Sequence, residues 1–93
     1  MKLEKIKQQA IPILRKNQVI RAGIFGSVAR KKSRRGSDID ILVEFASPIS
    51  LIDFVRVKFE LEDSLGRKVD LVEYSTIKPM LRDLILGQQI PIL

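Results

Sequence analysis

The chain has no cysteine and no histidine. Those two absences remove whole classes of chemistry, because Cys/His zinc sites, thiol nucleophiles, disulfides and imidazole bases are all out of reach. Long apolar runs are also missing: Met1-Lys2-Leu3-Glu4-Lys5 leads straight into mixed charged and apolar sequence, with no stretch suited to a signal peptide or a membrane span. The expectation is therefore a cytoplasmic protein with no membrane contact. Aromatic residues are few, with Tyr74 the only tyrosine beside four phenylalanines, so the chain lacks the interleaved aromatics that stack single-stranded bases. What remains for chemistry is carboxylates, hydroxyls, amines and bound metal.

Ninety-three residues, 45% of them hydrophobic, fit a single domain over residues 1–93 with one modest core. The formal charge of +6 favours an anionic partner such as nucleic acid, a nucleoside triphosphate or an acidic protein face, and is equally compatible with a solvated basic surface.

Leu3, Ile6, Ala10, Ile13 and Leu14 recur at spacings of three and four, the stripe of an amphipathic helix. Pro12 removes an amide donor and crowds the preceding turn, so this helix is expected to kink near Ala10 or restart at Pro12. Val19 to Phe25 reads as a strand ending at Gly26-Ser27, with Ser27-Val28-Ala29-Arg30 opening a short helix. After a basic loop, residues 38–45 read as a second strand, with Ile39, Ile41, Val43 and Phe45 on one face and Asp38, Asp40, Leu42 and Glu44 on the other. Ser50 caps a helix over residues 51–65 that closes at Gly66. Residues 68–72 form a third strand, on which Asp70 points away from the face of Val69 and Leu71. A capping Ser75 or Thr76 leads through Pro79 into a last helix closed by Gly87, followed by the apolar tail Ile90-Pro91-Ile92-Leu93. The fold class is α/β (α+β): a small mixed three-stranded sheet flanked by about four helices.

Gly26 and Ser27 stand where a strand turns into a helix. A helix N-terminus presents unpaired N–H groups and the positive end of the helix dipole, which suits a phosphate, and Arg30 one turn on can meet it with a fork of donors. The same two residues also suit an ordinary turn with a serine cap. Asp38 and Asp40 lie two residues apart on one strand face, close enough to share metal ions, and oxygen ligands of this type suit Mg²⁺ or Mn²⁺. Left alone, two such carboxylates repel, unless a metal or the cations of the preceding loop neutralise them. Asp70, inside an otherwise apolar strand, raises the same question, and a third carboxylate beside the first two would complete a two-metal site.

Gly26-Ser27, ten residues, Asp38-Ile39-Asp40, then a helix and a strand bearing Asp70 resembles the signature of the DNA polymerase β-like nucleotidyltransferases. The stretches Phe25 to Arg30, Ser37 to Val43 and Val69 to Val72, with the C-terminal helix and Ile90-Pro91-Ile92, are similar to the minimal nucleotidyltransferases, the MNT antitoxins paired with HEPN toxins. The resemblance implies the polymerase β-like fold, ATP as substrate, Mg²⁺ or Mn²⁺ as cofactor, Gly26 and Ser27 on the β and γ phosphates, Asp38 and Asp40 on the metals, and Asp70 completing the second metal site and helping to deprotonate the attacking hydroxyl. It further implies transfer of AMP to a tyrosine hydroxyl of a HEPN-domain toxin, with the basic loop and the apolar tail as docking surfaces. This chain departs from many relatives at Lys31-Lys32-Ser33-Arg34-Arg35-Gly36, where they carry glycine and an acidic or neutral loop. Two other readings stand beside transfer to a toxin: a non-catalytic antitoxin that neutralises by binding, and nucleotidyl transfer to RNA or a small molecule.

Overall fold

The computed structural model describes residues 2–26 and 38–93. Helix α1 (Leu3–Lys16) is continuous through Pro12, so it does not restart there. The carbonyl that Pro12 leaves without a donor belongs to Gln8, and both residues are exposed, so water can take the place of the lost bond. Its inward line is Ile6, Ala10 and Leu14, all fully buried.

Strand β1 (Val19–Phe25) runs antiparallel to β2 (Ile39–Phe45), with Ile24 opposite Ile41 and Phe25 opposite Asp40. Helix α2 (Leu51–Leu65) then carries the chain back, so that β3 (Val69–Glu73) pairs parallel with β2. The ends of α2 are where the local chemistry puts them. The Ser50 hydroxyl accepts the Asp53 N–H at 3.1 Å, and Gly66, left-handed at φ 67°, donates its N–H to the Glu62 carbonyl at 2.8 Å. Of the apolar residues along α2, Leu51 and Ile52 are exposed, while Val57, Leu61 and Leu65 make the buried line. A repeat of four, not the whole apolar content, sets the inward face.

Beyond β3 lie a 3₁₀ turn (Tyr74–Thr76), helix α3 (Pro79–Gln88) and a two-residue strand β4 (Ile90–Pro91). The sheet thus has four strands in the order β3-β2-β1-β4, one more than the three expected. The fourth is the apolar tail: Ile90 pairs with Ile24, Pro91 with Gly23, and the Ile92 N–H donates to the Ala22 carbonyl at 2.9 Å. Proline argues against a strand because it donates nothing to a ladder, but an edge position tolerates it. The tail is therefore part of the sheet and not a free docking segment. Three α-helices are present among the described residues, and the short helix expected over residues 27–30 lies outside them. Helix α3 begins at Pro79 with Lys78 before it and runs on through Gly87. Neither Ser75 nor Thr76, the two expected caps, stands at its start, and Thr76 donates its hydroxyl to the Glu73 carbonyl at 2.9 Å within the preceding turn. No helix among the described residues is long and apolar enough to cross a membrane.

The larger core lies between one face of the sheet and helices α1 and α2, built from Ile24, Ile39, Ile41, Val43, Val69 and Leu71 against the helical residues named above. On the opposite face a smaller cluster joins Leu42, Tyr74 and Ile77, with Phe25, Val72, Ile85 and Leu86 packed onto it. Tyr74 is 4% exposed, donates its hydroxyl to Gln89 Oε1 at 2.7 Å and lies under the Arg21 guanidinium, 4.2 Å from the ring centre. Burial pushes the Tyr74 hydroxyl above its ordinary value, against the opposing pull of the Arg21 charge. The folded state therefore prefers the neutral phenol. Its contribution to stability is complete below the ordinary tyrosine value of about 10 and is lost as pH rises through the higher folded value. Denaturant midpoints measured across that alkaline range fall for the wild type, and Tyr74→Phe removes this part of the slope.

Candidate active site

The alternation of β2 is the first determinant. Ile39, Ile41 and Val43 enter the larger core, which turns Asp40 to the opposite face. Strand β3 alternates likewise, with Val69 and Leu71 in the core and Asp70 exposed on the other side. The parallel register pairs Asp40 with Asp70, so the two carboxylates stand side by side on neighbouring strands and on one face. Asp38, exposed, is the last residue before β2, two positions from Asp40.

Two hydrogen bonds hold this register at its open end. The Ile39 N–H donates to the Lys68 carbonyl at 2.9 Å, lacing the Asp38–Asp40 segment to the residue before β3. The Val69 N–H, which faces away from β2 in this ladder, donates to Glu62 Oε2 at 2.9 Å. Glu62 of α2 is thus a positioning residue for the strand that carries Asp70. Sequence reasoning passed it over, since nothing local links a helix residue to an amide seven positions on.

Gly26 follows β1 at φ +72°, a conformation that side chains other than glycine's rarely adopt. A Cβ added there would collide with the Asp40 carboxylate oxygen and lie 2.9 Å from its Cγ. The bare backbone of Gly26 and the Asp40 carboxylate therefore share one space, at the point where Phe25 stands opposite Asp40 in the ladder. Ser27 and Arg30, the other two residues expected at the phosphates, and the basic loop lie outside the described residues.

Among the described residues no three acidic side chains form a ready cluster for a metal ion. The donor set nonetheless fits a hard divalent cation. Asp40 and Asp70 are paired by register, Asp38 is one strand step away, and Mg²⁺ commonly takes only one or two carboxylates, completing its shell with water and phosphate oxygens.

Against known proteins, a family model described as polymerase β, nucleotidyltransferase, matches residues 8–93. A protein of Methanocaldococcus jannaschii named "putative protein adenylyltransferase" is 50% identical over 93 residues, spanning all of both chains. The solved structure of a "putative minimal nucleotidyltransferase" matches with a TM-score of 0.84 at 36% identity, covering 98% of this chain and 96% of that one. A crystal structure of a toxin-antitoxin with AMP-PNP matches with a TM-score of 0.83 at 27% identity, over 94% of this chain and 72% of that one.

Proposed function

The chain belongs to the polymerase β nucleotidyltransferase family, and from that premise we propose that it transfers AMP from ATP to a tyrosine hydroxyl of a HEPN-type toxin, acting as its antitoxin. The observation that carries this reading is the register that sets Asp40 beside Asp70 against the bare backbone of Gly26. The relative named a protein adenylyltransferase supports a protein acceptor. The toxin-antitoxin structure solved with AMP-PNP, an ATP analogue, supports both the nucleotide and the class of partner.

In this reading Asp38, Asp40 and Asp70 hold Mg²⁺ or Mn²⁺, while Gly26, Ser27 and Arg30 receive the triphosphate. Bound there, the divalent ions supply charge neutralisation for the leaving pyrophosphate and a more nucleophilic acceptor oxygen. The protein's own work is placement. Gly26 lets phosphate oxygens come near the backbone, and Asp40 supplies a carboxylate that would hold a divalent cation against them. Asp70, exposed at the strand's start, takes the proton as the tyrosyl oxygen bonds to the α-phosphorus and the bond to pyrophosphate breaks. The absence of histidine is no obstacle to such a reaction. Transfer to RNA gains no support from the fold: of the five aromatic side chains only Phe59 is exposed, on the outer side of α2.

The test is direct. With α-labelled ATP, Mg²⁺ and a HEPN-domain protein as acceptor, the wild type labels that protein covalently. Absence of label under conditions where the two proteins bind removes this acceptor, and protection of cells by an unlabelling Asp38→Asn/Asp40→Asn variant would mean that binding alone suffices.

A further inference from the structure

Helix α3 is unlike the other two: none of its residues is buried. It is held by Ile85 and Leu86, which pack onto the cluster around Leu42 and Tyr74. Turned away from that contact, at spacings of four and three, are Met80, Leu84 and Gly87, with Leu81 beside them. Met80 is 88% exposed, Leu84 58% and Leu81 45%, so three of the chain's large exposed apolar side chains share one ten-residue helix. Gly87 adds an independent observation. It lies inside the helix, has no positive φ, and a Cβ built on it would meet nothing within 4 Å. Glycine there is unfavourable relative to alanine, and no contact among the described residues requires it. What it does provide is bare backbone on an outward apolar stripe, the feature that lets a second helix approach closely.

We propose that the Met80–Leu84–Gly87 face of α3 is the docking surface for an amphipathic helix of the acceptor protein, whose ridge lies against Gly87 between Met80 and Leu84. This rests on the protein-acceptor reading above, and it deepens that reading by locating the partner. The placement suits it. Helix α3 covers the same sheet face that carries Asp40 and Asp70, and Phe25, the ladder partner of Asp40, packs into the cluster beneath it, so a protein seated on α3 is already beside the acids. Charge favours a different protein over a second copy, because two copies each bear +6. The charged side chain bordering the stripe is Asp83, so the partner helix carries a lysine or arginine on that flank.

Met80→Glu and Leu84→Glu change exposed positions and leave folding and AMP-PNP binding unaltered. Each weakens capture of the HEPN-domain acceptor on the order of tenfold or more, the loss expected of a central contact, and lowers its labelling in step. Gly87→Ala separates docking from folding: it raises the Tm of the isolated protein while weakening association. Unchanged partner binding in both glutamate variants overturns the proposal. So does concentration-dependent self-association that the same variants abolish, which would mean that a second copy covers this face. Binding that depends on Leu84 with no label in the wild type upholds the docking surface and overturns the adenylyl-transfer reading alone.

Discussion

Asp40→Asn lowers nucleotidyl transfer on the order of 10²–10³-fold, the loss seen when one well-placed electrostatic contact to a transition state is removed. The substitution keeps the size of the side chain and the strand pairing but takes away one of the two charges that the register sets side by side. Asp70→Asn has an effect of the same order. The double variant is little worse than either single one, since groups that serve one bound cation act as a unit and their losses do not add. A second measurement is independent of catalysis. Mg²⁺ with AMP-PNP raises the Tm of the wild type by mass action on the folded state, and this rise is largely lost in Asp40→Asn. A variant that keeps both transfer and metal-dependent stabilisation would remove Asp40 from the site.

Gly26→Ala loses both stability and activity. The backbone there sits at φ +72°, and holding a side chain other than glycine's in such a conformation costs about 1–3 kcal/mol, several degrees of Tm in a domain of this size. The added methyl also lands on the Asp40 carboxylate, so the acid must move off the position that its register with Asp70 defines. The two effects separate in Gly26→Asn. Asparagine tolerates a positive φ but still carries a Cβ, so it recovers part of the stability and none of the transfer rate. If Gly26→Asn regains activity, backbone strain and not the shared space with Asp40 is the reason for glycine.

Much of this site was legible before the fold, because it is written in short-range patterns. The alternation of Asp40 with Ile39 and Ile41, and of Asp70 with Val69 and Leu71, states which way each acid points, since a strand that buries one face must expose the other. Ser50 and Gly66 mark the ends of α2 for equally local reasons. What misled were features whose meaning depends on distant surroundings. Pro12 reads as a kink or a restart, yet the helix runs on through it, on the outer side of α1 where water can take the place of the missing bond. The apolar tail with Pro91 reads as a docking segment, yet it forms an edge strand, a place that asks little of the proline's missing amide. Gly87 reads as a helix stop, yet the helix continues through it.

The amino-acid order by itself determined the chemistry on offer: acids without histidine or cysteine, a glycine-serine bend, and faces that turn the acids outward. It did so because strand and helix periodicities act between near neighbours. Only the tertiary structure decided that Asp40 lies beside Asp70, with Glu62 holding the strand and Gly26 against the Asp40 carboxylate. Those contacts join segments far apart in the chain, and their register is chosen by how the apolar faces of three strands and two helices pack together, which no local pattern encodes.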